Sequence, residues 1–358
     1  MKVLLLDAGL AWRGGQQQVR LLAGGLAERN HSLIAALPPE APLFRALVAD
    51  HVVVEALSQR SDVDLSAAVK LARLSREFKP HIVHANDARS HGVARLAQLF
   101  GLAGQLVVTR RSIRKPRSGL KYRRGVERFI AVSDAVKRAL ELADIPAHKI
   151  DVVKSAVPPP TLQSPTAIRR AGKQTIITIA ALTPEKDVGT LVRAAALAHQ
   201  RGIDASWVVL GEGKMRRHIE AWILRESAPV RLVGHVDDVT EFLAQADLLV
   251  HPAPSEALGT CLLEALSMGV PVVAIRAGGI PEVVTADVGT LVEPRNPEAL
   301  VRAVAEWLAD HPRREAVRKL GPEVTRHFDV NSMVDGTVRS YLTAVEETNF
   351  KTEQVAVQ

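Results

Sequence analysis

The chain has 358 residues, 47% hydrophobic and 24% charged, the proportions of an ordinary globular protein, which exclude disordered, collagen-like and coiled-coil architectures. Its length exceeds the ~150 residues of a single domain, so two domains with separate cores are expected. The net charge of +7 is unevenly spread: residues 1–155 hold 25 Lys and Arg against 14 Asp and Glu, whereas residues 156–358 hold 21 against 25. The first half is therefore suited to an anionic partner or carries a solvated basic face.

In chain order, short runs rich in Leu, Val and Ile at residues 3–6, 32–36, 52–54, 82–85, 105–109 and 129–133 read as buried strands. The segments between them space apolar residues three to four apart, the period of an amphipathic helix. Residues 158–174, with Pro158, Pro159, Pro160 and Pro165, break both patterns and read as a linker. A second strand series follows at 175–180, 207–211, 230–233, 248–251, 270–275 and 289–292. Apolar strands alternating with helices predict an α/β protein with two doubly wound parallel sheets, over residues 1–157 and 175–330. Ligands are expected at the carboxyl ends of the strands, in a cleft that the two domains face. A last helix is expected at about 331–347, joining the first domain, then a frayed tail at 348–358.

A lone cysteine, Cys261, allows no internal disulfide, and no run approaches the ~18 apolar residues of a membrane span. The apolar start meets Asp7 too early for a signal-peptide core. A cytoplasmic protein is expected, with peripheral contact to the inner face of the membrane left open by the basic first half.

The most informative stretch runs from His251 through Pro252, Pro254, Glu256, Gly259 and Glu264 to Gly269 and Pro271. A strand ends at His251, a proline-rich loop follows, and a helix begins near Gly259. Glu256 then lies in the loop, and Glu264 one turn inside the helix on the face shared with Thr260. The backbone N–H groups from Ala257 through Leu258 and Gly259 to Thr260 sit at the positive end of the helix dipole. They suit a diphosphate or sugar oxygens, with the two carboxylates accepting bonds from hydroxyls. The alternative is a pair of solvated surface glutamates. Lys186, an isolated cation between a strand and a helix, is placed for a phosphate or is an ordinary surface lysine. Gly211 and Gly234 fall at strand ends, where, with Val236 beside them, a flat base or a ribose would fit.

In the first half, Gly14 and Gly15 open a helix without forming a dinucleotide fingerprint or a P-loop, but still let backbone approach a phosphate. His84 and Asp87 form a polar cluster at a strand end, read either as catalytic or hydrogen-bonding groups or as helix capping, without the spacing of a zinc site. Residues 110–124 hold eight basic residues, among them Arg110, Arg111, Arg114, Lys115 and Arg117, with no acid and only Tyr122 as an aromatic. Single-stranded nucleic acid would need more stacking aromatics. Anionic lipid headgroups or a phosphorylated acceptor fit better.

Taken together, these motifs resemble glycosyltransferase family 4, retaining nucleotide-sugar-dependent enzymes of the GT-B fold with two Rossmann-like domains. The collinear set comprises Gly14-Gly15, the His31 region, the segment around His84 and the strand ending at Ser133. It continues through Leu182-Thr183-Pro184-Glu185-Lys186, Val233-Gly234, Ala246-Asp247, the two glutamates, Gly269-Val270-Pro271 and Gly278-Gly279-Ile280-Pro281-Glu282. The resemblance implies that Glu256 holds donor-sugar hydroxyls, Glu264 the ribose, and Lys186 the diphosphate. Gly15 and the backbone of Leu258, Gly259 and Thr260 would close on the donor, with no metal or other cofactor. It also implies transfer of a sugar from a nucleotide-diphosphate sugar to a cell-envelope acceptor: lipopolysaccharide, a lipid-linked glycan or a polysaccharide. A nucleotide-sugar epimerase, or a non-catalytic polyanion- or lipid-binding protein on the same fold, is the alternative. The chain departs from the family pattern at Ala181, where an Arg is usual, at Ala257, where a Gly is usual, and at Arg110, where a His often stands.

Overall fold

The computed structural model describes all residues except 117–121, 123, 161–172 and 357–358, and omits the side chains of 348–356. The chain divides into two compact units, Met1–Ala156 with Val330–Gln358, and Val157–Asp329. Most of the expected linker lies outside the described residues.

The first unit runs β1 (Lys2–Leu6), α1 (Gly14–Glu28), β2 (Ser32–Leu37), α2 (Pro42–Ala49), β3 (Val53–Ala56), α3 (Leu65–Phe78) and β4 (Ile82–Ala85). It continues with α4 (Ala88–Ala97), β5 (Gln105–Arg110), β6 (Arg128–Ala131), α5 (Asp134–Glu141) and β7 (Ile150–Val152). The strands form one parallel sheet in the order β3-β2-β1-β4-β5-β6-β7. The chain turns back at the β1/β4 boundary, so the loops leaving those two strands diverge and leave a crevice. Residues 3–6 are fully buried, as expected of a central strand covered by helices on both faces.

The second unit runs β8 (Gln174–Ile179), α6 (Val188–Gln200), β9 (Ala205–Leu210), α7 (Arg216–Arg225), β10 (Val230–Gly234), α8 (Thr240–Leu243) and β11 (Leu248–His251). Then come α9 (Thr260–Ser267), β12 (Val272–Ile275), β13 (Gly289–Val292), α10 (Pro297–Ala309) and α11 (His311–Thr325). Its parallel sheet has the order β10-β9-β8-β11-β12-β13, with the same reversal between β8 and β11. Trp207 and Trp307 anchor its core, and Val157 N–H donates to Phe328 O at 2.9 Å, tying the ends of the unit together.

The final helix, α12 (Val330–Ala356), returns to the first unit. Met333, Val334, Tyr341 and Ala344 enter the core beside β1 and α1. Arg29 pairs with Asp335 at 2.8 Å, and Arg128 links Asp151 to Glu347. The helix passes residue 348, where the sequence reading places a frayed tail, because no Gly or Pro interrupts it after Gly336. The strand β7 is absent from the sequence reading: three residues at a sheet edge are too few for a periodic signal.

Candidate active site

In the second unit the loops leaving β8, β9, β10 and β11 carry the residues singled out from sequence. After β11, residues 252–259 lead into α9 through Gly259, whose φ of 89° suits glycine and whose hydrogen faces Leu262; a Cβ there would lie 2.7 Å from Leu262 Cδ1. Among the described residues, no acceptor takes the N–H groups of Leu258, Gly259 or Thr260. Ala257, expected to offer a fourth, instead donates to Glu256 Oε1 at 3.1 Å. The Leu258 side chain is buried in the core, so this residue offers only its backbone.

Glu256 is half-buried and accepts an ion-paired hydrogen bond from Lys186 Nζ on Oε2. Lys186 is therefore not the isolated cation expected from sequence. It sits in a helical turn after β8, ahead of Asp187, whose side chain caps α6. His251 Nε2 lies 3.4 Å from the same Glu256 oxygen. Burial pushes the Glu256 pKa up, but the His251 contact and the Lys186 charge outweigh it and hold the carboxyl at about 2. Burial disfavours the Lys186 ammonium, and Glu256 more than offsets this, lifting its pKa above the usual lysine value.

Glu264 is the opposite case. It has no hydrogen-bond or ion-pair partner on its carboxylate among the described residues, and burial, helped by the Asp238 charge, pushes it up to about 7. Gly211 follows β9 with φ 146°, and a Cβ there would sit 2.0 Å from Ala180 O, so the approach of these two loops depends on glycine. Its N–H donates to Gly234 O at 2.7 Å. Val236 follows β10 and packs against the apolar cluster of Ile177, Val208, Leu210 and Phe242.

The first unit has its own cavity, of about 190 Å³, at the carboxyl ends of β1, β4 and β5, lined by Asp7, Gly15, Asp87, Thr109 and Arg111 among others. Gly14 and Gly15 open α1 without a side-chain cap. Asp7 is buried; its Oδ1 accepts from Gly9 N–H at 2.8 Å and Gln16 Nε2 at 3.0 Å, and burial together with Asp87 pushes its pKa to about 6. Asp87 caps α4 through the N–H groups of Arg89 and Ser90 and also accepts from Ala8 N–H at 2.7 Å. Asp7 received no role from sequence; an acid directly after the apolar run of residues 3–6 was its only signal.

One expectation is corrected here. His84, expected as a catalytic candidate, is 1% exposed and has both ring nitrogens engaged, Nδ1 with the Tyr341 hydroxyl at 2.6 Å and Nε2 with the Thr109 hydroxyl at 2.7 Å. Burial pushes its pKa to about 3, so the ring is a neutral strut between the sheet and α12. Arg110 and Arg111, expected at an acceptor or membrane surface, are half-buried and line the cavity. Arg110 donates to the Tyr122 hydroxyl at 3.0 Å and to Arg114 O at 2.7 Å. Arg111 lines the cavity, where burial lowers its pKa to about 10 against the opposing pull of Asp7 and Asp87. Arg114 and Lys115 are exposed, and Arg117 lies outside the described residues. No helix among the described residues is long and apolar enough to cross a membrane, and no three potential ligands there gather to hold a metal.

Known proteins match the chain in both halves. The "Glycosyltransferase Family 4" model matches residues 12–159 and the "Glycosyl transferases group 1" model residues 164–324. An uncharacterized glycosyltransferase of Methanocaldococcus jannaschii is 28% identical over 167 residues, 46% of each chain. A GDP-mannose-dependent alpha-(1-6)-phosphatidylinositol dimannoside mannosyltransferase of Mycobacterium tuberculosis is 34% identical over 140 residues, 38% of this chain and 36% of its own. These matches span less than half the length of the curated relatives. The solved structure of Anabaena Alr3699/HepE in complex with UDP-glucose superposes with a TM-score of 0.84 at 22% identity, covering 95% of this chain and 100% of the other. With two doubly wound parallel sheets of the GT-B fold, the chain carries a Glycosyltransferase Family 4 domain in its first half and a Glycosyl transferases group 1 domain in its second, a pair typical of GT-B glycosyltransferases.

Proposed function

We propose that the protein is a retaining, metal-independent glycosyltransferase that moves a hexose-type sugar from a nucleotide-diphosphate sugar to a cell-envelope glycan or lipid-linked acceptor. The observation that carries this reading is the start of α9, where three N–H groups without acceptors, a cation and two carboxylates surround one helix terminus. The donor diphosphate takes the N–H groups of Leu258, Gly259 and Thr260 and the Lys186 ammonium. Glu256 accepts from the hydroxyls of the donor sugar, and Glu264 from those of the ribose.

During transfer the bond between the anomeric carbon and the diphosphate breaks, the electron pair leaves with the phosphate, and the acceptor oxygen bonds the same face of the sugar. The acceptor proton leaves with the departing phosphate. Lys186 and the helix terminus stabilise the charge that develops there, the work a metal would otherwise do. The UDP and UDP-glucose complexes of HepE and the GDP-mannose dependence of a relative support a nucleotide-sugar donor without fixing its base. Exposed Arg114 and Lys115, continuing into Arg117, favour peripheral contact with an anionic membrane face.

The test is a melting screen with uridine, guanosine and adenosine diphosphate sugars, followed by turnover with envelope acceptors in the presence of a chelator. Stabilisation by one donor and transfer that survives chelation, with the anomeric configuration kept, are expected. Donor conversion without acceptor would identify an epimerase. A protein that no nucleotide stabilises, yet that binds anionic vesicles, would be a lipid- or polyanion-binding protein on this fold.

A further inference from the structure

His251 and Cys261 stand behind the candidate donor site and have no role in the transfer just described. His251 is 1% exposed, at the end of β11. Its Nδ1 lies 3.6 Å from Cys261 Sγ in the first turn of α9, and its Nε2 lies 3.4 Å from Glu256 Oε2. Nε2 has no closer partner among the described residues. A buried ring nitrogen without a partner is costly, so a small closing movement toward the carboxylate is favourable.

Both ends of the ring favour the same tautomer. Burial pushes the Cys261 thiol pKa well up, so it keeps its proton and donates toward Nδ1. An unprotonated Nε2 would set a lone pair against the Glu256 carboxylate, whereas a protonated one donates to it. Glu256 Oε2 thus lies between two donors, Lys186 and His251. Only Lys186 has a second task, at the diphosphate.

We propose that His251 is a positioning residue for Glu256: held by the Cys261 thiol, it donates from Nε2 to the carboxylate and keeps it aimed when Lys186 turns to the donor diphosphate. This rests on the donor reading of the site. The arrangement follows the logic by which a third group orients an acid–base pair, with a thiol as the outer member.

The test has two arms. Nitrogen-15 NMR of the full chain without nucleotide is expected to show His251 carrying a proton on Nε2; a ring protonated at Nδ1 alone overturns the proposal. In the second arm, His251→Leu is expected to raise the donor KM about tenfold or more, the worth of a hydrogen bond to a charged group, with a smaller change in kcat. His251→Gln, which keeps an amide donor at similar reach, recovers most of the loss. Equal donor KM values for wild type and a folded His251→Leu overturn the proposal, as does a Gln variant no better than Leu. If His251→Leu fails to fold, the NMR arm and the Gln variant still decide. If the wild type binds no nucleotide sugar, the donor reading fails, and the tautomer measured without nucleotide judges the His251–Glu256 contact by itself.

Discussion

At the carboxyl ends of β1 and β4 in one unit and of β8 and β11 in the other, acidic side chains stand beside helix starts, one in each unit opened by glycine and one capped by aspartate. The two clusters are wired differently. In the first unit Asp87 spends both oxygens on backbone N–H groups, Asp7 Oδ1 takes two donors, and His84 is satisfied at both nitrogens. In the second, Glu264 has no partner among the described residues, three N–H groups lack acceptors there, and Lys186 and Glu256 face each other. Residue type does not separate Asp87 and His84 from Glu264; how fully the protein's own hydrogen bonds use up their polar atoms does, while Asn86 Oδ1 and Arg111 Nε, at the first unit's cavity, have no hydrogen-bond partner among the described residues. A saturated group holds the fold, and an unsaturated one is left for a ligand.

The largest effect that tests this contrast is expected at Lys186. Lys186→Ala removes the cation proposed for the leaving group and strands a half-buried carboxylate, so transfer should fall by about 10²–10³-fold, the typical loss of one such stabilising group. Single-turnover assays with saturating donor measure it. Full turnover in that variant would remove the second unit's cluster from the chemistry.

Glu264 should show itself through pH. With its folded pKa raised to about 7 from an ordinary 4.5, the folded state holds a proton that the unfolded chain has released between those values. Stability contributed by this group therefore falls as pH rises from about 4.5 to 7. On the proposed reading Glu264 accepts from the ribose hydroxyls, and the ionised carboxylate is the stronger acceptor, so nucleotide affinity should rise through pH 6–8 and then level. Titration calorimetry of wild type and Glu264→Gln checks both the slope and its loss. A pH-independent affinity in the wild type would separate Glu264 from the ribose.

The opposite behaviour is expected in the first unit. Tyr341→Phe removes the hydroxyl that meets His84 and should cost about 1–3 kcal/mol of stability, read as a lower melting temperature with donor binding unchanged. Lost donor affinity would show that His84 is more than a strut. The smallest effect is expected at the exposed basic residues. Neutralising Arg114, Lys115 and Arg117 should weaken binding to anionic vesicles by about 1 kcal/mol per residue, in a salt-sensitive way. Unchanged vesicle association would return that segment to a solvated face.

Much of the fold was legible because its signals are local. Twelve of the thirteen strands stand within a few residues of their Leu-, Val- and Ile-rich runs, and the reversal of strand order in each sheet follows from doubly wound topology. The position of the α9 start was legible too, since Gly259 and Pro271 bracket that helix region. The wiring was not. The basic run at 110–124 reads as one surface, yet Arg110 and Arg111 turn toward Tyr122, Asp7 and Asp87, groups that lie near them only through the sheet.

By itself, the sequence determined the two α/β units, the order of their elements and the loops that end on candidate residues, because hydrophobic period and helix punctuation act over a few residues. Only the tertiary structure decided that Lys186 meets Glu256 across 70 positions, that His84 meets Tyr341 across 257, and that His251 stands between Cys261 and Glu256. Those contacts depend on which strand ends become neighbours and on how α12 packs back onto the first sheet. Long-range juxtaposition of this kind leaves no periodic trace in the chain.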